Sequence, residues 1–133
     1  MRAKLAVLRA LNRLLRPGGR MAFTTIVIAP DLMPSERRRA RRVGPRAVAA
    51  RRDHAHLLTS AGFVDIEEHD LTPAFLVTAR AWLHESEQHA TELAAIESPE
   101  VFAERQRDRR AMLAALEDGL LRRALYTAIR PSR

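Results

Sequence analysis

The chain lacks cysteine, has a single lysine and is poor in aromatic residues, with four Phe, one Trp and one Tyr among 133 residues. Without cysteine it can form neither disulfides nor thiolate metal sites. Its most apolar N-terminal stretch, residues 5–15, is interrupted by Arg9, Asn12 and Arg13, which argues against a signal peptide or a membrane span. We therefore expect a cytoplasmic protein with no membrane partner.

Catalytic motifs are also scarce. The sequence has no Gly-x-Ser-x-Gly elbow and no phosphate loop. His84 and His89 are five residues apart, about 140° around a helix, and His54 and His56 lie about 200° apart, so neither pair shares a helix face. We expect these four histidines on the surface, and we assign no catalytic and no metal-binding residue.

The charge is unevenly distributed. Residues 1–52 contain fourteen Lys and Arg against two acids, whereas residues 53–133 contain nine Arg against fourteen acids. Eight arginines lie within residues 37–52 and would attract phosphate, from nucleic acid or from an anionic ligand. No aromatic residue for base stacking and no recognition motif accompanies them. Genomic base composition explains the arginine bias without any partner, so nucleic acid is kept only as an alternative.

Residues 14–28 organise the rest of the chain. Pro17 ends a helix predicted over residues 3–15, and Gly18 and Gly19 supply a turn. Met21 to Ile28 is apolar or β-branched throughout, which is typical of a strand covered on both faces. The loop over residues 29–35 follows the carboxyl end of this strand, where α/β sheets bind their ligands.

The remaining elements follow from caps and periodicity. Asp53 is predicted to cap a short helix over residues 54–61, and the alternation in residues 64–71 predicts an edge strand. Ser or Thr followed by Pro predicts two helix starts, giving helices over residues 73–96 and 99–118. A last strand is predicted over residues 123–130, and because residues 124–129 carry no charge on either face, it is expected inside the sheet.

The motif Leu-Arg-Pro-Gly-Gly-Arg at residues 15–20, followed at once by an apolar strand, resembles the late motif of class I S-adenosylmethionine-dependent methyltransferases. Residues 61–63 and 120–126 resemble the C-terminal half of that family in the same order. The resemblance implies an α/β fold: a partial Rossmann-like sheet of three strands, the last antiparallel and central, with about four to five helices. Residues 1–133 would be the C-terminal part of the domain, and residues 73–118 a helical insertion between the last two strands.

The resemblance also implies what the chain does. The parent enzyme would transfer a methyl group from S-adenosylmethionine to a small molecule, a reaction that depends mainly on alignment. The family's acidic, glycine-rich cofactor loop has no counterpart here, so we assign no cofactor-binding residue and expect the chain alone to bind no cofactor and to be inactive. Substrate contacts are expected from Ile28, Pro30, Asp31 and Trp82.

Two partners are expected from the same comparison. By the resemblance, residues 20–28 correspond to the family's fifth strand, which in the family pairs with a fourth strand. This chain lacks that fourth strand, so residues 21–28 would present an unpaired apolar edge. A homodimer or a complementary N-terminal methyltransferase fragment would cover it. The alternatives are an Arg-rich nucleic-acid-binding module and a non-catalytic interaction module.

Overall fold

The computed structural model describes residues 2–46 and 48–133, with the side chains of all of them except residues 49–52. The described elements, in chain order, are α1 (Arg2–Leu14), β1 (Arg20–Ile28), α2 (Pro34–Val43), β2 (Ala49–Ala50), α3 (Arg51–Ser60), β3 (Val64–Asp70), α4 (Thr72–Gln88), α5 (Ala90–Glu97), α6 (Pro99–Glu117) and β4 (Leu121–Ile129).

The sheet has the strand order β2-β1-β4-β3. Strand β4 runs antiparallel to both of its neighbours, in register with β1 from Arg20 opposite Ile129 to Ile28 opposite Leu121. The predictions that the last strand is central and that β3 is an edge are therefore confirmed. The two-residue strand β2, parallel to the end of β1, was not predicted.

The turn before β1 is tied to the end of β4. Gly18 has a φ of 76°, which suits glycine because it has no Cβ. Its N–H donates to the carbonyl of Arg130 at 2.9 Å, and the Arg130 N–H donates to the carbonyl of Gly19 at 2.8 Å. The Pro-Gly-Gly motif thus closes one end of the central strand pair.

Two apolar clusters cover opposite faces of the sheet. Successive residues of a strand point to opposite faces, so Ile26 and Ile28 join a cluster with residues of α2 and α6. Val27 joins the other cluster, with Leu58 of α3 and Tyr126 of β4, against which Leu5 and Leu8 of α1 pack.

Strand β1 is buried over only part of its length. Residues 26–28 and the adjoining Ala29, which together we call the closed half, are buried, whereas residues 20–25, the open half, are exposed or partly exposed. The prediction of a strand covered on both faces is therefore wrong for the open half. The physical reason is that α2, α4 and α6 contribute to the core only around Ile26 and Ile28.

Several predicted helix bounds also need correction. A helix that was not predicted, α2, holds five of the eight arginines of residues 37–52 and begins at Pro34, a residue that suits the first helical turn because it has no N–H to satisfy. Helix α3 begins at Arg51, so Asp53 lies in its first turn and is not its cap.

The single helix predicted over residues 73–96 is two helices, α4 and α5, joined at His89. No Gly or Pro marks this break in the sequence. Both helices pack on α6, and such tertiary contacts override local helix propensity. The described residues thus contain six helices, one more than the upper end of the prediction.

Candidate substrate site

The carboxyl end of β1 leads into an exposed loop. Pro30 and Asp31 are both exposed, and Asp31 has a φ of 61°, a left-handed conformation that Asp tolerates better than most residues. Leu32 turns back and packs on the core, while Ile28 is only 4% exposed. Pro30 and Asp31 are therefore accessible to a ligand. Ile28 is not, and it can only support the loop from the core.

Helix α4 starts at the same end of the sheet and is fixed there by one polar cluster. Asp70 Oδ1 accepts hydrogen bonds from the Thr72 N–H at 2.9 Å and from its hydroxyl at 2.5 Å. The Thr72 Oγ1 in turn accepts from the Arg123 N–H at 3.0 Å. The start of α4 is thereby tied to the edge strand β3 and to the central strand β4.

Helices α4 and α6 run antiparallel and are joined by two ion pairs. Arg80 of α4 contacts Glu117 of α6, with Nε to Oε1 at 3.2 Å, and Arg110 of α6 contacts Glu87 of α4, with Nη2 to Oε1 at 2.7 Å. Both pairs are exposed to solvent, where such contacts stabilise little. They connect the two helices at two points along their length.

Between these helices lies an apolar cavity, the α4/α6 groove, with a volume of about 270 Å³. Its lining consists of Phe75, Ala79, Trp82, Leu83, Asp108, Arg109, Met112, Leu113 and Leu116. Trp82 is 64% exposed and stands edge-on to Phe75, with ring centroids 6.4 Å apart. An exposed Trp beside an apolar cavity is suited to covering an apolar or aromatic ligand.

The four predicted substrate contacts do not line one cavity. Trp82 lines the groove, whereas Ile28, Pro30 and Asp31 are not among its lining residues. The connection between the two places runs through the core, because Phe75, Met112 and Leu116 line the groove and belong to the cluster around Ile28. The loop and the groove are therefore neighbouring parts of the same end of the sheet.

Sequence reasoning missed Arg123 and Phe75 as a unit. The Arg123 guanidinium lies over the Phe75 ring, 4.9 Å from its centroid, and its Nη2 donates to Thr24 Oγ1 at 2.6 Å. This places a cation at the junction of the groove and the sheet. The contact joins β1, α4 and β4, and no local sequence signal marks it.

Among the predicted surface histidines, His54 is the exception. His56, His84 and His89 are exposed, as predicted. His54 is only 7% exposed and stacks on Tyr126, with ring centroids 5.3 Å apart. It lies in α3 against the face of the sheet that carries Tyr126, on the opposite side from the groove.

Other kinds of site are not seen in the part of the chain that the structure describes. Within it, no group of three His, Cys, Asp or Glu residues could hold a metal ion. No described helix is both long enough and apolar enough to cross a membrane.

No family model and no curated protein sequence matches the chain. Solved structures match it in fold. It aligns over 98% of its length with a proposed sarcosine dimethylglycine methyltransferase from Galdieria sulphuraria, with a TM-score of 0.81 and 19% identity. It aligns over 96% with phosphoethanolamine N-methyltransferase 2 from Haemonchus contortus, in complex with phosphomonomethylethanolamine and S-adenosylhomocysteine, with a TM-score of 0.74 and 19% identity. It aligns over 97% with the [4+2]-cyclase SpnF, with a TM-score of 0.65 and 21% identity.

These matches establish the fold. The chain has a methyltransferase-like α/β fold, and it spans 48%, 30% and 46% of the three matched chains, respectively. Two of the three are named as methyltransferases and the third as a cyclase, so this fold is compatible with more than one reaction.

The described residues do not fit S-adenosylmethionine as a whole. That cofactor's ammonium and ribose hydroxyls need acceptor groups, and its adenine needs an apolar slot. At this end of the sheet, Asp31 is exposed in its loop and Asp70 already accepts hydrogen bonds from Thr72. The groove supplies apolar surface but few acceptors.

Proposed function

We propose that this chain is the C-terminal part of an S-adenosylmethionine-dependent methyltransferase domain whose methyl acceptor is a small molecule. The observation that carries the proposal is the sheet: β4 lies antiparallel between β1 and β3, the arrangement expected from the family resemblance. The matched methyltransferases support it, because nearly all of this chain aligns with less than half of each.

In this proposal the cofactor is held by an N-terminal part, and this chain holds the acceptor. The α4/α6 groove, with Trp82 at its opening, takes the apolar portion of the acceptor. Pro30 and Asp31 contact its reacting end from the loop after β1, and Ile28 supports that loop from the core. The helical insertion over residues 73–118 thus acts as the acceptor-binding cover.

The partner of the open half follows from the same proposal. Among the described residues, β1 pairs on its outer side only at Val27 and Ile28, through β2. Helix α1 also presents three apolar side chains on one face, Val7, Leu11 and Leu14, which are 59%, 38% and 82% exposed. We call these three residues the α1 stripe. A complementary N-terminal methyltransferase segment, or a second copy of this chain, would cover both surfaces.

The test is to look for the missing part and then to measure cofactor binding. DNA upstream of the Met1 codon is read for an in-frame strand followed by an acidic, glycine-rich loop, and that segment is co-expressed with this chain. We expect the pair to bind S-adenosylmethionine saturably by titration calorimetry, and this chain alone to show no appreciable binding. Saturable micromolar binding by this chain alone would contradict the proposed division of the site.

Ligand binding in the groove can be followed by tryptophan fluorescence. Trp82 is the only tryptophan of the chain and lines the groove, so the fluorescence of the protein reports on the groove. We expect an apolar small-molecule probe to change that fluorescence saturably. In a Leu113→Arg variant, which obstructs the groove, the same probe should give no saturable change, and an unaltered titration would place the binding elsewhere.

The predicted cytoplasmic location belongs to this proposal too. Fractionation of the source cells would test it.

A further inference from the structure

A second cavity lies away from the α4/α6 groove, between α2 and the turn from α6 to β4. It is an open cleft of about 630 Å³, which we call the arginine cleft. Its lining consists of Ser35, Glu36, Arg38, Arg39, Arg42, Asp118 and Leu120. Three guanidinium groups therefore border one cleft that is open to solvent.

The carboxylates of the arginine cleft are already engaged. Asp118 Oδ2 lies 2.8 Å from Arg39 Nη1, and Glu36 Oε1 accepts a hydrogen bond from the Met33 N–H at 2.9 Å at the start of α2. For Arg38 and Arg42, by contrast, the described part of the chain supplies no ion-pair partner. Two cations of the cleft are therefore not neutralised by any residue that the structure describes.

These two cations also repel each other. Arg38 and Arg42 are four residues apart on one helix, which makes them surface neighbours, and like charges at this spacing destabilise a helix. An anion bound between them would remove that repulsion. The planar guanidinium fork binds phosphate oxygens in pairs, which favours phosphate over a simple point anion.

We propose that Arg38 and Arg42 bind a phosphate or diphosphate group of a small ligand in the arginine cleft. A small ligand is favoured over nucleic acid because no aromatic side chain lines the cleft for base stacking. Arg37 and Arg41, the other charged row of α2, lie about 100° around the helix and face away from it. The inference does not depend on the methyltransferase proposal, because the cleft and the α4/α6 groove share no lining residue.

The test uses the whole chain with inorganic phosphate and pyrophosphate as probes, titrated by calorimetry. The Arg38→Gln/Arg42→Gln variant removes both guanidinium groups of the proposed phosphate site. The matched control is Arg9→Gln/Arg13→Gln, which removes two exposed arginines with the same spacing from α1. We expect saturable pyrophosphate binding by the wild-type chain and the control, and at least about tenfold weaker binding by the Arg38/Arg42 variant, since charge-assisted hydrogen bonds are lost.

Two further measurements keep the result unambiguous. Circular dichroism melts should show the Arg38/Arg42 variant to be at least as stable as the wild type, because a repulsion has been removed. Should it unfold, Arg38→Lys/Arg42→Lys keeps the charge but loses the paired geometry, and its binding should still be weaker than that of the wild type. Absence of saturable binding by the wild type, or equal losses in the α1 control, would overturn the proposal.

A third measurement distinguishes a small phosphate ligand from nucleic acid. A short duplex DNA is titrated at several salt concentrations, together with an Arg37→Gln/Arg41→Gln variant. We expect DNA to bind more weakly than pyrophosphate at physiological salt. Tighter DNA binding that falls steeply with salt and depends equally on both arginine rows would instead identify a nucleic-acid surface and overturn the small-ligand proposal.

Discussion

The two halves of β1 are covered to different extents. In the closed half, residues 26–29 are buried, and Val27 and Ile28 pair with strands on both sides. In the open half, residues 20–25 pair with β4, and the outer side has no strand among the described residues. Met21 and Phe23 of the open half pack on the cluster around Val27 and Tyr126, whereas Arg20, Ala22 and Thr24, on the opposite face, are exposed. The difference is that both faces of β1 are covered in the closed half, whereas only the face toward Tyr126 is covered in the open half.

The largest expected effect compares the same substitution in the two halves. Ile26 and Ala22 point to the same face of the sheet, four residues apart, but Ile26 is 7% exposed and Ala22 is exposed. Ile26→Lys should lower the free energy of unfolding by about 4 kcal/mol or more, because it buries an unpaired charge. Ala22→Lys should change it by less than about 0.5 kcal/mol. Urea denaturation of both variants is the measurement, and similar losses would remove the distinction between the halves.

The contrast between the closed and open halves could not be predicted from the sequence, although several other elements could. The Pro-Gly-Gly turn, the edge character of β3 and the starts of α4 and α6 follow from local chemistry, and they were predicted. Residues 21–28 are apolar or β-branched throughout and were predicted as a strand covered on both faces, because a sequence shows what a strand could bury and not which helices reach it. The β2 pairing, the α4/α5 break and the Arg123–Phe75 contact depend on tertiary neighbours, so no local pattern indicated them.

The four substrate contacts remain a prediction, and the sequence indicated them separately. Proximity to the end of β1 pointed to Pro30 and Asp31, and a lone Trp pointed to the helical segment. The groove itself arises from the antiparallel packing of α4 on α6, which depends on contacts between residues far apart in the sequence, such as Arg80 with Glu117.

The next effect concerns association through the α1 stripe. We expect Leu14→Lys to weaken self-association or fragment binding by roughly tenfold or more, since burial of a Leu side chain contributes about 1.5–3 kcal/mol. The matched control is Leu8→Lys, which alters a residue packed on the core of this chain and should instead lower stability. Sedimentation at several concentrations is the measurement. An unchanged association constant in Leu14→Lys would show that the stripe is not part of the interface.

A smaller effect is expected where α4 is fixed above the closed half. Thr72→Val removes the hydroxyl that bonds to Asp70 and to the Arg123 N–H, and should cost about 1–2 kcal/mol of unfolding free energy. Thr78→Val is the matched control, because its hydroxyl bonds only within α4, to Ala74 at 3.5 Å. Thermal or urea melts of the two variants would decide, and equal losses would deny Thr72 an anchoring role.

The smallest effect on stability is expected for a substitution in the α4/α6 groove. Trp82→Ala should change the free energy of unfolding by only about 0.5 kcal/mol, since its side chain is mostly exposed. The same variant should bind an apolar probe more weakly, as followed by calorimetry. A loss of stability comparable to that of a core aromatic residue, about 3–5 kcal/mol, would make Trp82 part of the core and not of a binding surface.

The central claim is that the open half of β1 is an interface, and residue-resolved hydrogen exchange by NMR tests it most directly. At low protein concentration, the amides of residues 20–25 that point away from β4 should exchange rapidly, while those of Val27 and Ile28 stay protected. At high concentration, or with the complementary segment present, the amides of the open half should become protected as well. Strong protection of those amides in a dilute monomer would contradict the account, because it would mean that this chain covers the edge by itself.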